Sequence, residues 1–141
     1  MNILVLNGPN LNLLGSREVK IYGKETLEEL CMWIETSQEG RDHNFKFYQS
    51  NHEGDLIDTL HDEREWAGGI ILNAGALSHY SYSLRDAIKS INVDTVEVHI
   101  SDINSREDFR KISIIKDVCL EQISGLGKVG YIKAIKVLMN A

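Results

Sequence analysis

Ile3-Leu4-Val5-Leu6, closed by Asn7-Gly8-Pro9, is a short unbroken apolar run that stops at a turn. A strand in a parallel sheet covered on both faces reads this way, because neither of its sides meets water. Working outward, residues 8–25 carry no sustained periodicity and read as a loop, long for a compact domain. A helix begins near Thr26, where Thr26 and Glu29 have capping-box spacing, and Leu27, Leu30, Cys31 and Ile34 recur at helical intervals until Gly40 stops it.

The same alternation continues along the chain. Phe45 and Phe47, interleaved with Lys46 and Tyr48, form a second strand, and residues 53–66 read as a helix with Leu56, Ile57 and Leu60 on one stripe. Gly69-Ile70-Ile71-Leu72 is a third buried strand ending at Asn73, followed by a helix through Leu84, Ala87, Ile88 and Ile91. Thr95 to Ile100 is a fourth strand, a fifth lies within 118–124, and a last amphipathic helix carries Val129, Ile132, Ile135, Lys136 and Leu138. Strands and helices in strict alternation predict an α/β, flavodoxin-like, doubly wound five-stranded parallel sheet, most simply of strand order 2-1-3-4-5.

The 141 residues show no linker, repeat or low-complexity tract, so a single domain over 1–141 is expected. A hydrophobic fraction of 43% with 26% charged residues suits a soluble globular chain. The net charge of -6 argues against a nucleic-acid or membrane-surface binder, which needs a basic footprint. Cys31 and Cys119 are too few for a disulfide framework and suit reduced residues in a cytoplasmic protein. Ile3 to Leu6 is far too short for a signal-peptide core or a membrane span.

Ligands of such sheets bind beyond the carboxyl ends of the strands, where strand order reverses. Three strand ends here are rich in polar groups: Asn7, Gly8, Pro9, Asn10 and Asn12 after the first, Asn73, Ser78 and His79 after the third, His99 and Ser101 after the fourth. Singly, each is an ordinary turn or cap residue, and Asn73 could merely cap a helix. Together they converge on one edge.

Glu97, His99 and Ser101 are two apart and share a strand face. A glutamate inside a covered sheet needs a partner, and a bond from His99 would satisfy it and orient the imidazole. The alternative is an exposed edge strand with a solvated Glu/His face. The long loop holds Arg17 and Tyr22 between Gly15 and Gly23, which could act as hinges of a lid. Tyrosine, with an ordinary pKa of about 10, is a poor neutral-pH base unless a guanidinium supports its phenolate. An incidental Arg and Tyr in a surface loop is the competing reading. Arg106 and Arg110 are four apart, so one helical turn would set both on the same side to hold an anion or polyol, unless they belong to a solvated turn with Glu107 and Asp108.

Gly125-Leu126-Gly127-Lys128-Val129-Gly130 matches a dinucleotide fingerprint in form only, since no further strand with an acidic end follows it; a tight turn with close helix packing is expected. His43, His52 and His61 have no metal-site spacing, and Asn51-His52-Glu53-Gly54 reads as a helix entry.

Leu6-Asn7-Gly8-Pro9-Asn10-Leu11-Asn12-Leu13-Leu14-Gly15, with Arg17, Glu18 and Tyr22-Gly23 after it, resembles the opening and lid of type II 3-dehydroquinate dehydratases. Gln49-Ser50-Asn51-His52-Glu53-Gly54, Leu72-Asn73-Ala74-Gly75 with Ser78-His79, and Glu97-Val98-His99-Ile100-Ser101 with Arg106 through Arg110 are similar to its later blocks, in the same order and as far as Gly130-Tyr131. The resemblance implies conversion of 3-dehydroquinate to 3-dehydroshikimate plus water, by anti elimination through an enolate, with no cofactor and no metal. It implies Tyr22 as the base with Arg17 favouring its phenolate, Asn10 holding a water at the enolate, and His99, oriented by Glu97, protonating the departing hydroxyl. Substrate would be bound by Asn73, His79, Ile100, Ser101 and Arg110, with Arg106 supporting lid and pocket and Asp86 reaching a neighbouring subunit's site. A homo-dodecamer built of trimers, in the cytoplasm, is likewise implied. Tyr80, Asp102, Val129 and Val19 depart from the family pattern where threonine, asparagine, glutamine and proline are usual, which bears on lid motion, subunit contacts and rate. A receiver-type signalling domain would need an aspartate at the end of strand three, where Asn73 stands, and a flavin module would need a phosphate cradle that Gly8-Pro9-Asn10-Leu11-Asn12 lacks.

Overall fold

The computed structural model describes residues 1–16 and 18–141. Five parallel strands, β1 (Asn2–Asn7), β2 (Asn44–Gln49), β3 (Gly69–Asn73), β4 (Thr95–His99) and β5 (Glu121–Ser124), form one sheet of order β2-β1-β3-β4-β5. Strand order and parallel sense are those expected from the alternating pattern. Register is set by pairs such as Val5 with Phe47 and Ile71, and Glu97 with Leu72 and Gln122.

Side chains alternate along each strand, so β1 and β3 feed two cores. Ile3, Val5, Ile71, Val96 and Val98 pack under α2 (Leu27–Thr36) and α5 (Val129–Met139), through Leu30, Ile34, Tyr131 and Ile135. Leu4, Leu6, Ile70 and Leu72 pack under α3 (Glu53–Glu63) and α4 (Tyr82–Ile91), through Leu56, Leu60, Leu84 and Ile88. Both faces of β1 and β3 are therefore dry, which is the reason their sequences run apolar without a break. On β4, Val96 and Val98 go to the α5 side, leaving Glu97 and His99 to face the other way.

The Thr26 capping box forms: Thr26 Oγ1 accepts from the Glu29 amide at 3.1 Å, and Glu29 Oε1 accepts from the Thr26 amide at 3.2 Å. That helix ends at Thr36 rather than near Gly40, because Ser37 turns extended and its hydroxyl caps the Ile34 carbonyl at 2.7 Å. The helix expected over 53–66 ends at Glu63. Gly125 and Gly127 take positive φ in the turn before α5, and a Cβ on Gly130 would lie 3.3 Å from Val98, so the fingerprint-like glycines serve turn and packing. The segment read as loop over 8–25 contains a 3-10 turn, Leu11–Leu13, and a short helix, α1 (Val19–Tyr22). No described helix is long and apolar enough to cross a membrane.

Candidate active site

The carboxyl ends of β1, β3 and β4 open into a cleft with about 580 Å³ of space including its mouth, lined by Asn10, Tyr22, Asn73, His79, His99 and Arg106 among others. This is the position expected for a small-molecule site in an open α/β sheet.

Its fixed wall is β4. This strand lies between β3 and β5, so the exposed-edge alternative for Glu97 and His99 does not hold. Glu97 is 0% exposed, and its Oε2 accepts from His99 Nε2 at 2.5 Å, Ser113 Oγ at 2.8 Å and Gln122 Nε2 at 3.2 Å. A buried carboxylate is tolerable only with such donors around it. With Nε2 committed to Glu97, Nδ1 is the nitrogen His99 has left for the cleft that it lines. Ser113 and Gln122 were not foreseen; hydroxyl and amide residues scattered through a loop and an edge strand give no periodic signal.

His79 stacks on His99 with ring centroids 6.3 Å apart. Its Nδ1 donates to the Ile112 carbonyl at 2.7 Å, which fixes the tautomer and leaves Nε2 free to accept. Burial lowers the pKa of His79 below the ordinary histidine value, outweighing the opposite pull of the Ile112 carbonyl, while His99 and Arg110 add to the lowering. Its surroundings therefore disfavour the charged imidazolium.

The segment flanked by Gly15 and Gly23, both of positive φ, supplies another residue of the cleft. It carries Tyr22 into the cleft on α1, where Arg106 Nη1 donates to the Tyr22 hydroxyl at 2.6 Å. The same Nη1 donates to Ser101 Oγ at 3.3 Å, linking Tyr22 to the segment just past β4. Arg17, the arginine expected at this tyrosine, lies outside the described residues.

Arg106 and Arg110 both line the cleft, although one helical turn does not place them there. Asp102 accepts from the Asn104 amide at 3.0 Å and from Ser105 Oγ at 2.7 Å, closing a 3-10 turn at Ile103–Ser105. Arg106 then turns extended, and a second 3-10 turn, Asp108–Lys111, brings in Arg110, whose Nε donates to Glu107 at 2.9 Å. The path of the loop aligns them.

Asn10 lines the cleft with φ 71, a left-handed conformation that asparagine tolerates. Its amide donates to Asn51 Oδ1 at 2.9 Å, and Gln49 Nε2 donates to the Gly8 carbonyl at 3.2 Å and to Asn51 at 3.1 Å. The block read as a mere helix entry thus also holds the first strand's loop. Asn73 lines the cleft, and its Oδ1 accepts from the Gly75 amide two residues on, at 3.2 Å, rather than capping a helix. Ile100 and Ser101 line the cleft as expected, whereas Asp86 is exposed on α4 and takes no part in lining this chain's own cleft.

A family model described as Dehydroquinase class II matches residues 1–139. A 3-dehydroquinate dehydratase of Bacillus licheniformis is 52% identical over 139 residues, spanning 99% of this chain and 96% of the relative. One from Clostridium beijerinckii is 50% identical over 139 residues, spanning 98% of this chain and 95% of the relative. The crystal structure of a type II dehydroquinase from Butyrivibrio crossotus matches with a TM-score of 0.95 at 48% identity, covering 100% of this chain and 98% of that one.

Proposed function

The chain belongs to the class II dehydroquinase family, and on that premise we propose how its cleft carries out the family's hydro-lyase step of the shikimate pathway, the removal of water from 3-dehydroquinate to give 3-dehydroshikimate. Tyr22, as phenolate, takes the proton next to the ketone, and the C–H electron pair becomes an enolate. Arg106, which already donates to the Tyr22 hydroxyl, stabilises the negative charge there once the proton has left. Arg17 is assigned the same task. Asn10 holds a water at the enolate oxygen. The enolate then returns its electrons to the ring, the carbon–oxygen bond on the opposite face breaks, and His99 protonates the leaving hydroxyl so that it departs as water. Glu97 keeps His99 oriented while it waits to do so. Asn73, His79, Ile100, Ser101 and Arg110 hold the substrate's oxygens.

The observation that carries this reading is the pairing of two proton carriers across one cleft, each with a partner of opposite charge: Tyr22 with Arg106 at 2.6 Å, His99 with Glu97 at 2.5 Å. Closing the lid excludes water and strengthens both pairs. No lysine Schiff base, cofactor or metal enters the scheme.

Residues 1–141 act as one catalytic domain within a homo-oligomer, a dodecamer made of four trimers, working in the cytoplasm. Supporting assembly, Tyr80, Tyr82, Phe109 and Ile112 are large, apolar and exposed beside the His79 side of the cleft. Asp86, exposed on α4, is the residue assigned to a neighbour's site. Mixing protein with 3-dehydroquinate produces a conjugated enone carboxylate that absorbs in the ultraviolet. Tyr22→Phe is expected to cut that rate by about 10²–10⁴-fold with the fold intact. An unchanged rate in the variant would sink the assignment of the base.

A further inference from the structure

Tyr131 is the third residue of α5 and is 0% exposed, yet it carries a hydroxyl into the core. A buried hydroxyl needs partners, and here the partners are the last residues of two strands. Tyr131 Oη donates to Asn7 Oδ1 at 2.6 Å, and Asn73 Nδ2 donates to Tyr131 Oη at 3.1 Å. Both asparagines are buried, Asn7 at 1% and Asn73 at 4% exposure. Burial pushes the Tyr131 phenol well above its usual range, so its proton stays in place.

The direction of these bonds matters. A phenol has one hydrogen, and it goes to Asn7; toward Asn73 the oxygen can only accept. The Asn73 amide is therefore held with its NH₂ toward Tyr131, while its Oδ1 is held by the Gly75 amide at 3.2 Å. An amide flip would set two acceptor oxygens against each other and deprive Gly75 of its acceptor. One hydrogen of Asn73 Nδ2 remains, and Asn73 lines the cleft.

We infer that Tyr131, which does not itself line the cleft, is a positioning residue for the dehydratase reaction: its hydroxyl locks Asn73 so that the amide presents an N–H donor, and never a carbonyl, to an oxygen of the substrate. This rests on the reading that Asn73 binds substrate. A link from the final helix to the substrate contact also explains why a tyrosine occupies a core position that a phenylalanine would fill equally well by volume.

The test is steady-state kinetics on 3-dehydroquinate for Tyr131→Phe, Asn73→Ala and the double variant, with thermal melting recorded for each. Asn73→Ala raises KM. Tyr131→Phe raises KM by about three- to ten-fold, the scale of one neutral hydrogen bond, with kcat nearly unchanged. The double variant is no worse than Asn73→Ala alone, since the lock has nothing left to hold. If Asn73→Ala raises KM while Tyr131→Phe leaves it alone, or if the two effects simply multiply, the positioning role is wrong and the hydroxyl serves stability only. If Asn73→Ala leaves KM unchanged, the reading of Asn73 falls, and this inference with it. Should Tyr131→Phe not fold, Asn7→Ala probes the same chain from its other end: a smaller rise in KM that vanishes in the Asn73→Ala background supports the lock, and a rise that persists there overturns it.

Discussion

His99 stands on the interior strand β4, 5% exposed, with a fully buried carboxylate holding one ring nitrogen at 2.5 Å. Tyr22, across the cleft, stands on a four-residue helix with no buried side chain, between two glycines of positive φ. His99, the proposed acid, is placed by the same interactions that hold the sheet together. Tyr22, the proposed base, is fastened by Arg106 and by its packing against the core beneath it. On the proposed mechanism, such a site can admit substrate on the Tyr22 side without disturbing His99. It follows that damage on the two sides should look different: loss of stability with activity on the strand side, loss of activity alone on the lid side.

Glu97→Ala is expected to show the strand side most strongly. It leaves His99, Ser113 and Gln122 without their shared acceptor. Removing one partner of a buried pair costs about 3–5 kcal/mol, read from denaturant unfolding, and turnover should fall by about 10²–10⁴-fold as His99 loses its orientation. A stable but inactive variant would mean that β4 does not depend on the pair, and the contrast with the lid would collapse.

Gly23→Ala tests the lid side. Gly23 has φ 86 and ψ -179, and a Cβ there meets nothing within 4 Å, so only backbone conformation opposes the change. Strain of this kind costs about 1–3 kcal/mol. Because α1 has no fully buried side chain, the lid can shift to relieve it; kcat/KM should drop by about 5–30-fold for a cost of about 1–2 kcal/mol, with the melting temperature unmoved. A fall in melting temperature instead would make the lid part of the folding core.

His79 gives the smallest and most specific effect. Its pKa is lowered by burial, so the folded protein resists its protonation more than the unfolded chain does. Stability is then fully present above the ordinary value of 6.5 and is lost as pH falls through it toward the lower folded value. Unfolding free energy measured from pH 7.5 downward should decline, and His79→Gln should flatten part of that slope. An identical slope in the variant would show that His79 is not held neutral by its surroundings.

Much of this architecture is legible in local sequence. The runs Ile3–Leu6 and Gly69–Leu72 are apolar because both faces of those strands are covered, and Thr26 with Glu29 marks a helix start by a contact that spans three residues. The pairing of Glu97 with His99 is also local, since strand alternation puts residues two apart on one face. The supports of the site are not local. Asn51 holds the amide of Asn10 from 41 positions away, and Tyr131 reaches Asn7 across 124. No period, cap or turn rule links such positions. Arg106 and Arg110 show the opposite error: helical spacing predicts their alignment, but two tight turns and an extended residue between them produce it.

The sequence by itself determined the alternating elements and the shared face of Glu97 and His99, because those follow from patterns written within a few residues; the order β2-β1-β3-β4-β5 was only the simplest arrangement of those elements, and the structure decided it. Only the tertiary structure decided that Ser113 and Gln122 share the Glu97 carboxylate, that Arg106 holds the Tyr22 hydroxyl, and that Tyr131 joins two strand ends. A hydrogen bond to a buried group needs a donor at the right point in space, and chains distant in sequence meet at that point only after the sheet has formed.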